Sequence, residues 1–193
     1  MPVDLARRLT ETGALLHGHF RLSSGLHSSD YVQCARLLEH PRDARALGAE
    51  LAEKIRPLRP DLIVAPALGG LIIGYAVAEA LDLPMIFTER KEGVMVLRRG
   101  FDVGNRRRIV IVEDVVTTGK SSLETEAAID KDGGEVVAYA SILNRSGREK
   151  PFGDTPFISL MNMHFDTFAE RDCPLCHGGV PLNTPGSRYA TAR

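Results

Sequence analysis

Residues 109–121 read Ile-Val-Ile-Val-Glu-Asp-Val-Val-Thr-Thr-Gly-Lys-Ser. Four consecutive β-branched residues, Ile109 to Val112, are the pattern of a strand buried on both faces. The run stops at two acids, Glu113 and Asp114, and passes through Val115 and Val116 into the turn Thr117-Thr118-Gly119-Lys120-Ser121. A helix-like segment from Ser122 to Lys131 follows. In α/β proteins, phosphorylated ligands bind where a strand's carboxyl end faces a helix N-terminus, because unpaired N–H groups and the helix dipole favour an anion there. Paired carboxylates accept hydrogen bonds from a sugar diol, and a turn of N–H groups and hydroxyls holds a phosphate. Side by side, the two features point to a ribose-phosphate. Taken singly, each has a plainer reading: the acids as a solvated turn, Thr-Thr-Gly-Lys-Ser as a helix cap. The ordered string is what discriminates. It is not a P-loop, which requires a glycine five residues before the Gly-Lys pair, where Asp114 stands.

The chain around this stretch has 193 residues and a formal charge of −1. That length buries a sizeable core and reads as a single domain, residues 1–193. Near-neutral charge gives no electrostatic case for a nucleic-acid or membrane partner. No apolar run approaches spanning length, and the amphipathic start Met-Pro-Val-Asp-Leu-Ala-Arg-Arg-Leu lacks the apolar core of a secretory signal. A cytoplasmic location is therefore expected. Three cysteines make no disulfide framework.

Residues 1–40 read as an N-terminal hood, with a helix at 3–12 ended by Gly13 and an irregular strand-loop region at 14–33. Residues 41–160 read as an α/β core. Pro41 suits the first turn of a helix running to Arg56, and Pro57 stops it. Buried strands are expected at Asp61 to Ala65, Met85 to Thr88, Glu135 to Asn144 and Pro156 to Met161, and a helix at Gly69 to Leu81. Residues 90–107 read as a long loop or hairpin, and 161–193 as an irregular tail. Alternating strands and helices imply a central parallel sheet flanked by helices, with right-handed crossovers.

Two further stretches bear on a site. Ala65-Pro66-Ala67-Leu68-Gly69-Gly70 again runs from strand end to helix start, and its glycines let the backbone approach a ligand. Tight packing is the plainer reading of that loop. The charged segment Glu89-Arg90-Lys91-Glu92-Gly93 to Leu97-Arg98-Arg99-Gly100-Phe101 can be a solvated hairpin or a mobile flap that closes over a diphosphate.

The thirteen-residue string resembles the phosphoribosyl-diphosphate (PRPP) motif of the type I phosphoribosyltransferases. Within them, Phe20-Arg21-Leu22-Ser23-Ser24-Gly25-Leu26-His27-Ser28-Ser29-Asp30-Tyr31 is similar to the hood motif of the orotate phosphoribosyltransferases, and Leu143-Asn144-Arg145-Ser146-Gly147 to the strand end that carries their orotate-binding arginine. The resemblance spans roughly residues 14–147. It implies the type I phosphoribosyltransferase fold with a small hood, a homodimer, and Mg²⁺ bound with PRPP. It implies PRPP contacts at Leu68, Gly69, Gly70, Glu113, Asp114, Val115, Val116, Thr117, Thr118, Gly119, Lys120 and Ser121. Orotate contacts are implied at Thr117 and Arg145, and catalytic roles for Arg90, Lys91, Arg98, Arg99 and Asp114. The guanidinium fork of Arg145 suits a planar base bearing a carboxylate. The departures are Ser23 and Leu68, where many members carry lysine, and Val94-Met95-Val96-Leu97, where many carry a Lys-x-His-Gly flap. Arg98 and Arg99 can supply the missing cations. Transfer to another base (uracil, xanthine or another purine) and a non-catalytic PRPP or nucleotide sensor are the alternatives.

Cys173-Pro174-Leu175-Cys176-His177 supplies at most three metal ligands, one short of a closed zinc site unless a partner chain completes it. It reads as a tight turn with two free thiols, a redox pair or metal site being the alternatives, and no metal site is assigned. Cys34 is expected in core packing, His17, His19, His40 and His164 in packing or solvent roles, and His27 stands in the hood motif.

Overall fold

A computed structural model describes residues 3–22, 24–105 and 108–185. Among them, six strands form the central sheet in the order β5-β4-β3-β6-β7-β8. These are β3 (Leu62–Pro66), β4 (Met85–Lys91), β5 (Val94–Leu97), β6 (Ile109–Val116), β7 (Val136–Asn144) and β8 (Phe157–Asn162). All neighbours run parallel except the β4–β5 hairpin. The unbroken apolar run of β6 follows from its position, because both its faces are covered. Val110 and Val112 point into one core with α3 (Pro41–Ile55) and α4 (Gly70–Leu81). Ile109 and Ile111 point into a second core with Ile129 of α5 (Lys120–Asp130), Tyr139 and Phe152. The two-residue side-chain period of a strand sorts one sequence between two helical layers.

The hood is a separate hairpin of β1 (Leu15–Arg21) and β2 (His27–Val32), preceded by α1 (Leu5–Glu11). The structure adds a short helix, α2 (Cys34–Leu38), which the sequence reading left unassigned; it buries Cys34, Leu37 and Leu38. Boundaries move elsewhere too. The central strand does not stop at the acids: Glu113, Val115 and Val116 pair with Ser141, Leu143 and Asn144 on β7. Sheet hydrogen bonds carry the strand past the end of the apolar pattern. Helix α5 starts at Lys120, two residues ahead of the expected Ser122. The stretch read as a long loop or hairpin is a hairpin, β4 pairing antiparallel with β5. The tail contains one helical turn, α6 (Pro174–His177), and both edges of the hood hairpin pair with it.

Helices α3 and α4 meet at Gly48, where an added Cβ would lie 2.5 Å from Ala76 Cβ and 2.7 Å from its carbonyl carbon. Replacing Gly48 by Ala gains helix propensity worth about 1 kcal/mol. Overpacking costs roughly 1–3 kcal/mol. Gly48→Ala is therefore expected to lower the urea midpoint; an unchanged or raised midpoint contradicts the close packing.

Candidate active site at the ends of the central strands

Strands β3 and β6 lie side by side, so the loops leaving their carboxyl ends open on the same rim of the sheet. A cavity of about 450 Å³ sits there. Its floor is residues 113–122, running from the two acids into the first turn of α5. One wall is Arg145 to Gly147, after β7, and the roof comes from Arg21, Leu22 and Tyr31 of the hood with Phe165 and Thr167 of the tail. The resemblance placed Glu113 through Ser121 and Arg145 in one site, and the fold brings them to one cavity. Ser23, one of the departures, lies outside the described residues.

Glu113 is buried in the sheet and held well above the ordinary carboxyl range, first by burial and then by the neighbouring Asp114 charge. Burial also raises Asp114, against the pull of the Val115 N–H, which donates to Asp114 Oδ1 at 2.8 Å. No ion pair of either acid occurs among the described residues. Two carboxylates next to one another without a countercharge favour a ligand that brings donors or a cation. The diphosphate-loop expectation meets them here: an added Cβ on Gly69 would lie 2.7 Å from Asp114 Oδ1, and one on Gly70 2.7 Å from the Val112 carbonyl oxygen. Only glycine fits between that loop and the acid.

The phosphate turn bends at Gly119, which has φ +73° and caps α5. A side chain at Gly119 would run into the Phe152 ring at 2.7 Å. The first N–H groups of a helix have no partner within it, so the entry of α5 offers donors toward the cavity. Thr118 Oγ1 accepts from the Lys120 N–H at 3.3 Å. The Lys120 ammonium stands 3.7 Å from Glu124 and is largely exposed, so the backbone and hydroxyls form the cradle.

Arg145 lies over Phe165, its guanidinium carbon 4.2 Å from the ring centroid. Its Nε is buried without a hydrogen-bond partner among the described residues. A buried, unpaired donor on a charged group costs about 1–3 kcal/mol, so a ligand acceptor that fills it gains correspondingly. Burial lowers the guanidinium's proton affinity, with Tyr31 acting in the opposite sense. Phe165 was not legible beforehand: it falls in the tail, where no periodicity marks a role.

A turn able to hold a phosphate, two acids able to accept from a diol and a stacked arginine able to meet an anionic planar group share one cavity. The comparisons agree with this geometry. Residues 34–168 match the phosphoribosyl transferase domain model. The chain is 47% identical over 188 residues to the orotate phosphoribosyltransferase of Carboxydothermus hydrogenoformans, covering 96% of this chain and 98% of that protein. It is 47% identical over 180 residues to that of Thermotoga maritima, covering 93% and 96%. The chain belongs to the orotate phosphoribosyltransferase family. Among solved structures, that of the Aeropyrum pernix orotate phosphoribosyltransferase superposes with a TM-score of 0.68 at 25% identity, over 82% of this chain and 93% of that one. The Mycobacterium tuberculosis orotate phosphoribosyltransferase, solved with inorganic phosphate, gives 0.65 at 26% identity, over 82% and 92%.

The remaining phosphoribosyltransferase elements stand outside the cavity lining. Leu68, on the diphosphate loop, is 82% exposed, and Lys91 is exposed on the β4–β5 hairpin. Arg90 donates to the Gly93 carbonyl and pairs with Glu124 on α5. Arg98 and Arg99 both pair with Glu89, at 3.3 and 3.1 Å. The four cations are therefore grouped on one hairpin, three of them held by acids of this chain, and none lines the cavity.

The acids have a measurable cost in the empty protein. A carboxyl with a raised folded pKa binds its proton more tightly when folded, so the folded state holds more protons than the unfolded one. Stability then falls as pH rises from about 4, the unfolded value, through the folded one. Glu113→Gln is expected to raise the melting temperature at pH 7.5, with the gain shrinking toward pH 4. A variant less stable than the parent at pH 7.5 contradicts the strained ionisation of Glu113.

Proposed function

We propose that this chain transfers the 5-phosphoribosyl group of PRPP to N1 of orotate, giving orotidine 5′-monophosphate and diphosphate in de novo pyrimidine biosynthesis. The observation that carries this reading is the unpaired Nε of Arg145 in the same cavity as the acid pair and the phosphate turn. Thr117 to Ser121 hold the 5-phosphate through backbone and hydroxyl donors. Glu113 and Asp114 accept from the ribose hydroxyls and stabilise the positive charge that develops on the ring as the diphosphate leaves. Arg145, braced by Phe165, takes the orotate carboxylate or ring carbonyl, with Thr117 beside it. The bond from C1 to the diphosphate oxygen breaks and the bond from N1 to C1 forms. Orotate enters as an anion, which lessens the need for a strong base. Positioning and stabilisation of charge supply the rate.

The donor set fits Mg²⁺, a hard cation that takes one or two carboxylates together with phosphate oxygens and keeps several waters. Glu113 and Asp114 would hold it with PRPP, and when bound it would neutralise the departing diphosphate. The enzyme works as a homodimer. Ile72 and Tyr75, three apart on α4, and Leu68 on the loop before it support this as exposed apolar side chains. The flap arginines then act on a diphosphate, their own or the partner's, once released from Glu89. The location is cytoplasmic, in accord with the absence of any spanning helix among the described residues.

Asp114→Asn is expected to lower kcat/KM for PRPP roughly 10²-fold, the scale of losing one charge-stabilising contact in a transition state. The assay is the PRPP-dependent loss of orotate absorbance; near-normal turnover contradicts the assignment. Arg98→Ala combined with Arg99→Ala is expected to lower kcat while leaving orotate affinity intact. An unchanged kcat removes these residues from catalysis.

A further inference from the structure

The two cysteines of the tail meet two histidines of the hood. His19 on β1, His27 on β2, Cys173 and Cys176 each offer one ligand atom, and the four atoms all lie within 4.8 Å of one another. Cys176 Sγ is 3.2 Å from His27 Nδ1 and 3.7 Å from His19 Nε2, and Cys173 Sγ is 3.6 Å from His19 Nε2. The two ring nitrogens stand 2.9 Å apart. We propose that these four side chains form a structural Zn²⁺ site that fastens the C-terminal tail to the hood.

The spacing is that of a tetrahedral zinc shell. Bonds of about 2.3 Å to sulfur and about 2.0–2.1 Å to nitrogen set S···N edges near 3.6 Å, and the three S···N distances above lie within about 0.4 Å of that. The outer contacts are those a zinc histidine needs. His19 Nδ1 lies 2.8 Å from the Val180 carbonyl oxygen, which can only accept. Nδ1 therefore carries the proton, and Nε2 turns its lone pair to the cluster. His19, His27 and Cys173 are each at most 1% exposed. Four soft or imidazole ligands, three buried and Cys176 half-buried, fill a zinc shell and suit a structural rather than a catalytic site. Binding displaces the two thiol protons, and His27 presents Nδ1 as its neutral tautomer with the ring proton on Nε2.

His177, the third ligand weighed from sequence, points elsewhere: its Nε2 is 3.0 Å from the Arg171 carbonyl oxygen. No partner chain is needed, because the second ligand pair comes from the hairpin of the same chain. The site lies just behind the cavity roof. Backbone bonds already join the tail to both hairpin edges, His27 N–H to the Phe168 carbonyl and Arg21 N–H to the Asn183 carbonyl. Zinc would lock that junction, and with it the placement of Phe165 under Arg145.

The test is metal analysis of the full chain, purified under reducing conditions without chelator, followed by cobalt titration of the metal-free protein. About one zinc per chain is expected. Cobalt should give the intense visible bands of tetrahedral Co²⁺ with a near-ultraviolet thiolate charge-transfer band. Cys176→Ser should weaken or abolish that band, Cys34→Ser should keep it, and chelator should lower the melting temperature of the parent. A weak octahedral cobalt spectrum from the unmutated chain overturns the proposal whether or not the variants fold. So does a metal-free chain carrying a Cys173–Cys176 disulfide.

Discussion

Two ionisable acids forced into a sheet's end without a countercharge set the terms for the rest of the site. Glu113 is fixed by its strand pairing with Ser141, and Asp114 by the Val115 N–H and the close passage of Gly69. Neither can turn away to water without breaking β6. Charge on them is met most favourably by hydroxyl donors or a cation from outside, which is what the proposed substrate brings. The strain is tolerable because β6 is buried between two helical layers and has little freedom to relax. Function here is drawn from packing elsewhere in the fold.

The sequence made the central part of this legible because its signals are local. A buried strand, two acids, a glycine turn and a helix entry follow one another within thirteen residues, and each has a physical meaning at short range. The apolar run marked the parallel sheet, and the neighbouring Gly69-Gly70 loop is the one that packs against Asp114. Boundaries were less legible. The pattern of side chains ends at Val112, but backbone pairing does not consult side-chain polarity, so the strand continues to Val116. The short α2 helix escaped notice because five residues carry too little periodicity to register.

What the sequence hid is what the fold brings together over long range. Phe165 acquires its role by lying under a residue twenty positions earlier. The four-ligand cluster joins residues 19 and 27 to residues 173 and 176, a span no spacing rule covers. A trace of it was present: two histidines flanking one hairpin turn beside an isolated Cys-x-x-Cys. Sequence spacing counts ligands along one segment, whereas a closed site can take half its ligands from each of two. The flap shows the converse case. Its four cations sit on one hairpin, yet Glu89 and Glu124 pair with three of them outside the cavity. Charge count gives the presence of cations but not the partner each one prefers.

The hood and tail emerge as a roof whose parts depend on each other. The hairpin contributes Tyr31 and Arg21 to the cavity, the tail contributes Phe165, and backbone pairing joins the two. The central claim rests lower, at the floor, and a crystal structure of the chain with PRPP and Mg²⁺ tests it directly. The account predicts the ribose 2- and 3-hydroxyls on Glu113 and Asp114, with the 5-phosphate enclosed by residues 117–121. Density for PRPP at any other place, with the acid pair left in contact with protein alone, would contradict it.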